Sequence, residues 1–192
     1  AVNQAGNDNT ADVNQNTDNG GPQSADVDQT GDGNDVEISQ SQTGGGGHDV
    51  SNDVKAEQIG NNNSIVQTNN APGYNSGQKI TALQEGNDND IVQEILRGYT
   101  NSLFAKQLGD NNYVNQEAEG PYNNGTVNQE GNLNNAEQNL NGMNNFMDIR
   151  QMGDKNFAKQ NVDGGSWNGI NQNHGNVEQY GTENNATQSI IG

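Results

Sequence analysis

The sequence predicts an all-β fold: a β-solenoid in which eight copies of a strand-turn-strand unit stack into two facing parallel sheets. Three observations predict it. A short motif repeats along the whole chain, residue types alternate inward and outward on both sides of the motif, and apolar residues are too few for a conventional core. Hydrophobic residues make up 27% of the 192 residues, and the mean hydropathy is -1.08. We expect one solenoid spanning residues 1–192.

The repeating motif is the strongest signal in the chain. It has a Gln, a Gly two residues later, an Asn five residues later and a small or branched apolar residue seven residues later, with another apolar residue two before the Gln. All five positions match in all eight copies, but the copies are unequally spaced, from the short step between Gln107 and Gln129 to the long step between Gln29 and Gln58. A constant motif with variable connections is typical of a solenoid. We place the repeats at about 1–23, 24–50, 51–76, 77–100, 101–122, 123–144, 145–165 and 166–192.

The motif defines the residues that we expect to form the structural ladders and turns. The leading glutamines are Gln4, Gln29, Gln58, Gln84, Gln107, Gln129, Gln151 and Gln179. The asparagines are Asn9, Asn34, Asn63, Asn89, Asn112, Asn134, Asn156 and Asn184, and the turn glycines are Gly6, Gly31, Gly60, Gly86, Gly109, Gly131, Gly153 and Gly181. A second glutamine stands four positions after the last motif residue in two repeats (Gln15, Gln40) and two positions after it in the others (Gln67, Gln93, Gln116, Gln138, Gln160, Gln188).

Residue types alternate with a period of two on both sides of the glycine, which predicts two strands per repeat. Before one glycine, Ile80, Ala82 and Gln84 share a face, and charged residues such as Lys106 and Glu137 occupy the opposite positions of other repeats. No charge occupies any of the five motif positions. One face of each strand is therefore expected to be buried.

Stacking explains how amide side chains could line a buried face. Neighbouring strands lie about 4.8 Å apart, so stacked repeats would place Gln over Gln and Asn over Asn, each amide donating to one neighbour and accepting from the other. An unpaired buried polar group costs about 1–3 kcal/mol, whereas a continuous ladder pairs every member. The constant position of the glycine predicts a turn with positive φ or close backbone approach.

The repeats run from Val2 to Ile190 with no atypical polar repeat at either end. Soluble solenoids need such caps, and an uncapped strand edge is a template for another chain. A head-to-tail contact that does not close on itself produces a filament. We therefore predict that the chain assembles into a cross-β amyloid fibril.

The motif apolar-x-Gln-x-Gly-x-x-Asn-x-apolar resembles the curlin repeat, the unit of the curli fibre subunits of bacterial biofilms, over nearly the whole chain. Three features depart from the enteric form: eight repeats replace the usual five, the second Gln comes two residues early in six repeats, and the Ser that opens the enteric repeat is replaced. The residues at that Ser position are Gln23, Asn52, Gln78, Asn101, Asn123, Asn145 and Asn173. We interpret the chain as a divergent curlin.

The resemblance implies a structural subunit of extracellular fibres on a Gram-negative bacterium, secreted through the outer membrane, that mediates adhesion and scaffolds the biofilm matrix. The implied partners are further copies of the chain, a minor nucleator subunit, and the outer-membrane secretion pore with its accessory proteins. An intact last repeat favours the major subunit, with the nucleator as the alternative. A chain that begins at Ala1 without a leader has the form expected of a mature secreted protein.

A soluble β-solenoid that binds a surface, ice or calcium is the other class of function. Residues 26–37 have the ligand spacing of an EF-hand loop, but Gly31 and Asn34 already belong to the repeat and no flanking helices are predicted. Residues 44–52 approximate one calcium-binding nonapeptide, a motif that normally occurs in tandem. The outward positions are too mixed for the flat Thr array of an ice-binding surface.

Composition argues against other functions. Seven basic residues against 25 acidic ones disfavour nucleic acid or an anionic membrane as partner, and no apolar run is long enough to span a membrane. The chain has no cysteine, and no nucleophile, base and oxyanion set recurs, so we expect neither an enzyme nor a cofactor. His48 and His174 are expected in Gly-rich loops without a metal. The stretch 161–175, with Trp167, lengthens the last connection and has no assigned role.

Overall fold

A computed structural model describes residues 1–18, 21–43, 51–72, 77–164 and 172–192. These residues form sixteen strands and contain no helix. The strands are β1 (Val2–Ala5), β2 (Thr10–Asp18), β3 (Gln23–Thr30), β4 (Asp35–Thr43), β5 (Asn52–Ile59), β6 (Ser64–Pro72), β7 (Lys79–Glu85), β8 (Asp90–Arg97), β9 (Ser102–Leu108), β10 (Tyr113–Glu119), β11 (Asn124–Glu130), β12 (Asn135–Gly142), β13 (Asn145–Met152), β14 (Phe157–Gly164), β15 (Asn173–Tyr180) and β16 (Asn185–Ile191). Within the described ranges, no helix is present that could cross a membrane.

The strands form two parallel sheets of eight, and each repeat contributes one strand to each sheet. The odd-numbered strands form the first sheet in chain order, and the even-numbered strands form the second. All neighbours pair in parallel, with each motif residue opposite its counterpart in the next repeat, as Gln107 is opposite Gln129. The predicted fold class, an all-β solenoid of stacked repeats, is confirmed.

The core is a thin layer between the sheets, filled alternately by apolar and amide side chains. In β13, Asn145, Met147, Ile149 and Gln151 are buried, while the residues between them are more exposed. The same alternation places an apolar column and an amide column side by side through the interior of the stack. Burial of the apolar column supplies the hydrophobic stabilisation.

The turn between the two strands of a repeat can be built only with glycine at its first position. Gly60 has φ of 122°, and a Cβ on it would collide with the carbonyl oxygen of Gly86 in the next repeat. Two residues later the chain is left-handed, with φ of 54° at Asn62. The turn then ends at the motif Asn, so its sequence is Gly-x-x-Asn.

A second turn of the same sequence joins consecutive repeats in the middle of the chain. Gly98, Gly120 and Gly142 each begin a Gly-x-x-Asn segment, and the third residue of all three segments, like that of the first turn, has positive φ. Together with the first-turn glycines, the glycines at 98, 109, 120, 131, 142, 153 and 164 follow one another at a constant interval. One complete coil of the solenoid in this region therefore consists of two half-repeats of equal length. Each half-repeat has a Gly-x-x-Asn turn of the same type, and the two differ in their core residues.

Three sequence expectations concern the connections. His48 and Trp167 lie outside the described residues, as do most of the stretch 44–52 and the middle of the stretch 161–175. The expectation of a loop at His174 is wrong: it lies in β15, exposed and paired with Phe146 of β13. Its side chain points outward because it is offset by one residue from the inward Asn173 and Gly175 positions.

Candidate functional site

The leading glutamines form one continuous hydrogen-bonded column along the first sheet. In each pair, Nε2 of the earlier Gln donates to Oε1 of the next, at distances between 2.7 and 3.0 Å. The column contains Gln4, Gln29, Gln58, Gln84, Gln107, Gln129, Gln151 and Gln179. The structure thus brings all eight residues together in one ladder.

The same glutamines also tie the two sheets together. Nε2 of each Gln after the first also donates to the backbone carbonyl of the residue that begins a strand of the second sheet, as from Gln107 to Asp90 at 3.0 Å. The distances are between 2.8 and 3.0 Å in all seven cases. Both protons of each amide inside the column are therefore used, which offsets the cost of burying it.

The motif asparagines form a second ladder whose polarity is opposite. Nδ2 of each Asn donates to Oδ1 of the preceding Asn, between 2.9 and 3.1 Å, over the set Asn9, Asn34, Asn63, Asn89, Asn112, Asn134, Asn156 and Asn184. Nδ2 of Asn63 also donates to the carbonyl of Gly86 in the following repeat. An Asn inside this ladder therefore links three consecutive layers at the first turn.

The second glutamines form two separate ladders rather than one. Gln15 donates to Gln40 at 2.6 Å, and a second ladder runs through Gln67, Gln93, Gln116, Gln138, Gln160 and Gln188 at 2.7 to 3.0 Å. In the register between β4 and β6, Ile38 is opposite Gln67 and Gln40 is opposite Asn69. The two-residue shift of the second Gln keeps it inward but changes the column in which it lies.

This ladder break leaves buried polar atoms without partners. Eight buried side-chain atoms of the described residues lack a hydrogen bond, and four belong to the break: Nε2 of Gln40, Oε1 of Gln67, and both Nδ2 and Oδ1 of Asn69. All three side chains are at most 1% exposed. At about 1–3 kcal/mol per unpaired group, the layer between the second and third repeats is less stable than its neighbours.

The second turn contains an Asn ladder that the motif does not include. Asn123 accepts at Oδ1 from Nδ2 of Asn145 at 3.0 Å, and Asn145 accepts from Asn173 at 3.0 Å. These residues occupy the position of the enteric Ser, and the amides close the core on the side opposite the first turn. The constant interval between Gly-x-x-Asn segments is the sequence signal that identifies Asn123 and Asn145.

The exposed first turn carries one more stacked column. From the second repeat to the seventh, the residue after the turn glycine accepts, at Oδ1, the backbone N–H of the equivalent residue in the preceding repeat, as Asp32 does from Asn7 at 2.7 Å and Asp110 from Asn87 at 2.8 Å. Each aspartate of the column is preceded and followed by a neutral residue: the order is Asn7, Asp32, Asn61, Asn87, Asp110, Asn132, Asp154 and Thr182. Like charges in adjacent layers of this column are thereby avoided.

Charged side chains lie on the outward faces, and two of them are partly buried there. Burial raises the pKa of Asp90, while a hydrogen bond from Ser64 opposes the shift. Burial also raises the pKa of Asp148, the nearby Glu178 raises it further, and Oδ1 of Asp148 has no hydrogen-bond donor. Elsewhere on this surface, Lys159 pairs with Glu137 at 2.7 Å. The outward faces are therefore solvated and mainly acidic.

The candidate calcium segment 26–37 forms a strand, a turn and a strand. Its first part belongs to β3 and its last part to β4, so Asp26 and Asp28 lie on the outer side of one sheet and Glu37 on the outer side of the other. In the described part of the chain, no group of three or more His, Cys, Asp or Glu residues is placed to hold a metal ion.

Both ends of the stack are open. β1 and β2 each have a strand neighbour on one side only, and so do β15 and β16. Apolar side chains are exposed at these ends: Val2 is 49% exposed and Ile191 is 86% exposed. Each end thus presents two unpaired strand edges and the last members of the amide ladders.

A column of parallel strands joined by stacked amides and open at both ends defines a β-solenoid repeat protein. The model of the curlin associated repeat matches residues 6–41, a range that includes most of the first two repeats, in which the second Gln keeps the enteric spacing. The resemblance to the curlin repeat seen in the motif is thereby confirmed over these residues. Comparison with curated proteins and with solved structures gives no match.

Proposed function

We propose that this chain is the major structural subunit of an extracellular curli-type fibre, and that it polymerises head to tail through the open ends of its solenoid. The observation that carries the proposal is the complementarity of the two ends. The first Gln ladder ends on a donor at Gln179 and begins on an acceptor at Gln4, and the Asn ladder presents the acceptor of Asn184 to the donors of Asn9. A second copy can continue both.

We propose the setting of the fibre from the resemblance to the curlin repeat. The subunit is exported through an outer-membrane secretion pore with accessory proteins, nucleated by a minor subunit, and deposited as adhesive scaffold of a biofilm matrix on a Gram-negative cell. Its role is structural rather than enzymatic. The acidic outward faces keep the sides of the stack solvated and leave the ends as the attractive surfaces.

The first test is assembly of the purified chain at micromolar concentration. Thioflavin fluorescence and electron microscopy are expected to detect fibres about one solenoid wide or bundles of them. A chain that stays monomeric for days would defeat the proposal and would favour the soluble binding module.

Gly181 allows a second test that separates folding from assembly. A Cβ on Gly181 meets nothing closer than Nδ2 of Asn184 at 3.7 Å, whereas each earlier first-turn glycine faces the carbonyl oxygen of the next repeat's glycine. In a head-to-tail fibre, Gly6 of the added copy would supply that carbonyl. Gly181 has φ of 101°, so Gly181→Val strains the last turn, but no later repeat of the chain packs on that turn. The variant is therefore expected to keep the preceding repeats folded and to block growth at the C-terminal end.

The variant should also act as a chain terminator. Its intact N-terminal end can dock on a growing wild-type fibre, after which nothing can add, so a small fraction of Gly181→Val should slow wild-type elongation. Ser189→Val adds similar bulk to β16 on its outward face and serves as the control. If wild-type fibres elongated at the same rate with Gly181→Val as with Ser189→Val, that result would contradict head-to-tail growth.

A further inference from the structure

The two open ends carry their core residues in opposite order. At the N-terminal end, β2 presents Val13 and then Gln15 toward the core, whereas at the C-terminal end β16 presents Gln188 and then Ile190. The amide columns confirm the inward direction, since Gln15 donates to Gln40 and Gln160 donates to Gln188. The first two repeats thus have the order apolar-x-Gln, and the last repeat has the order Gln-x-apolar.

We propose that the joint between two copies in the fibre is a mismatched layer, in which Gln188 faces Val13 and Ile190 faces Gln15. The inference rests on the proposed head-to-tail assembly. Motif residues are in register at every internal layer, as Ala11 with Val36 and Ala158 with Ala186. Keeping that register at the joint places Ala186 on Ala11, and the two mismatched pairs follow from the spacing.

The joint has the same kind of mismatch as the ladder break between the second and third repeats, with the order of the two layers reversed. There Ile38 meets Gln67 and Gln40 meets Asn69, and four buried atoms are left unpaired. The polarity of the ladders specifies the atoms at the joint. Gln188 would need an acceptor for its Nε2 protons but meets a valine, and Oε1 of Gln15 would need a donor but meets an isoleucine.

The leading Gln ladder and the motif Asn ladder nevertheless continue across the joint, so copies can recognise each other there. The joint is specific in register but weaker than the matched layers inside a subunit. A fibre of this chain is therefore expected to elongate slowly and to break between subunits. The C-terminal end fits best a curlin-type first layer with the order Gln-x-apolar, which is the order of the third to eighth repeats except at Asn69.

Residue exchanges test the inference without changing composition. Val13→Gln with Gln15→Val matches the joint but moves the mismatch to the layer between the first two repeats. Adding Ile38→Gln and Gln40→Ile matches the joint and joins the interior Gln ladder to Gln67, which leaves Asn69 as the unmatched residue of the former break. Exchanging the outward residues Asp12 and Asn14 of the same strand is the control, since it leaves the core order unchanged.

Each variant is elongated from seeds made of its own fibres, with the number of fibre ends kept equal, and the elongation rate is measured. Fibre length is then measured after shearing for a fixed time. The four-site variant is expected to elongate at least about tenfold faster, which corresponds to about 1.4 kcal/mol, and to give longer sheared fibres, with the control at the wild-type values. The two-site variant should also exceed wild type. If its first strand frays because of the new internal mismatch, the four-site variant still decides the question.

The outcomes distinguish this inference from the proposed function. A wild-type chain that forms no fibres overturns both. Wild-type fibres together with exchanged variants that elongate no faster, or whose fibres break as readily, overturn the mismatched joint alone and leave head-to-tail assembly standing.

Discussion

The first two repeats and the fourth to seventh repeats use the same two sheets and the same first turn, yet they fill the core differently. In the early pair, an apolar residue precedes the second Gln, and β2 and β4 are both long strands that run on past it. In the later group the Gln comes first, and in the fourth to sixth repeats a tight turn that begins with Gly follows. Within each region the second glutamines bond to one another, and unpaired atoms of their column appear where the two orders meet. Stacking therefore depends on agreement between neighbours more than on the residue type at any one position.

The largest effect should come from breaking the ladder inside the later region. Gln138→Leu leaves the Nε2 donor of Gln116 short of one partner and the Oε1 acceptor of Gln160 with none. With about 1–3 kcal/mol for each unpaired buried group, a loss of several kcal/mol in unfolding free energy is expected. Guanidinium denaturation of the freshly purified monomer measures it. Glu137→Leu, the outward neighbour, is the control, and an equal loss in both would contradict the ladder explanation.

The opposite sign is expected at the boundary between the regions. Asn69→Leu removes two unpaired polar atoms and places an apolar side chain against Ile95. The same denaturation experiment should show stabilisation by about 1–3 kcal/mol, although Asn69 is as buried as Gln138. A destabilised Asn69→Leu would mean that the boundary amides have partners after all.

A pH-dependent effect should separate the regions further. Burial raises the pKa of Asp148 above its ordinary value of 3.8, so the folded chain holds this proton more tightly than the unfolded chain. The stabilisation from this tighter proton binding is fully present below the ordinary pKa and is lost as pH rises through the higher pKa of the folded chain. Asp148→Asn should therefore stabilise the chain at pH 7, and its advantage should shrink below about pH 4. Denaturation midpoints measured across this pH range check it, and an advantage that does not change with pH would contradict it.

The smallest effect concerns the left-handed residue of the first turn. Leu133 has φ of 58° and is 53% exposed, whereas the second repeat has Gly33 at the same position. A left-handed non-glycine residue costs about 1–2 kcal/mol, partly offset by the entropy that glycine gains on unfolding. Leu133→Gly should raise the denaturation midpoint slightly, and Gly33→Leu should lower it. Two shifts of the same sign would show that turn strain is not the cause.

The fold could be predicted from the sequence because the motif and the alternation of period two are strictly local signals. They place residues such as Gln116 on an inward face, whatever the rest of the chain does. They do not say which residue lies in the next layer, since a shift of two residues keeps the inward direction and changes the partner. The break at Gln40 and Gln67 therefore required the register of β4 and β6.

The second turn could not be identified from the motif for a different reason. The motif is centred on the leading Gln, and at the second turn an apolar residue such as Leu140 stands in its place. The common signal there is Gly-x-x-Asn alone, which is short and weak in a chain with 26 glycines. The second turn is recognised from the stacking of its glycines in the structure. The carbonyl oxygen of each of these glycines lies where a Cβ on the preceding one would be.

The constant interval between glycines from Gly98 to Gly164 has a consequence for how such a chain can change length during evolution. A duplicated or deleted block of one whole repeat carries one strand for each sheet, so every amide column keeps its neighbours and the stack grows or shrinks by about 4.8 Å. A block of one half-repeat fits both turns equally well but sends each later strand to the opposite sheet, where its apolar and amide residues face the wrong columns. Natural length variants of this region should therefore differ by whole repeats and not by an odd number of half-repeats.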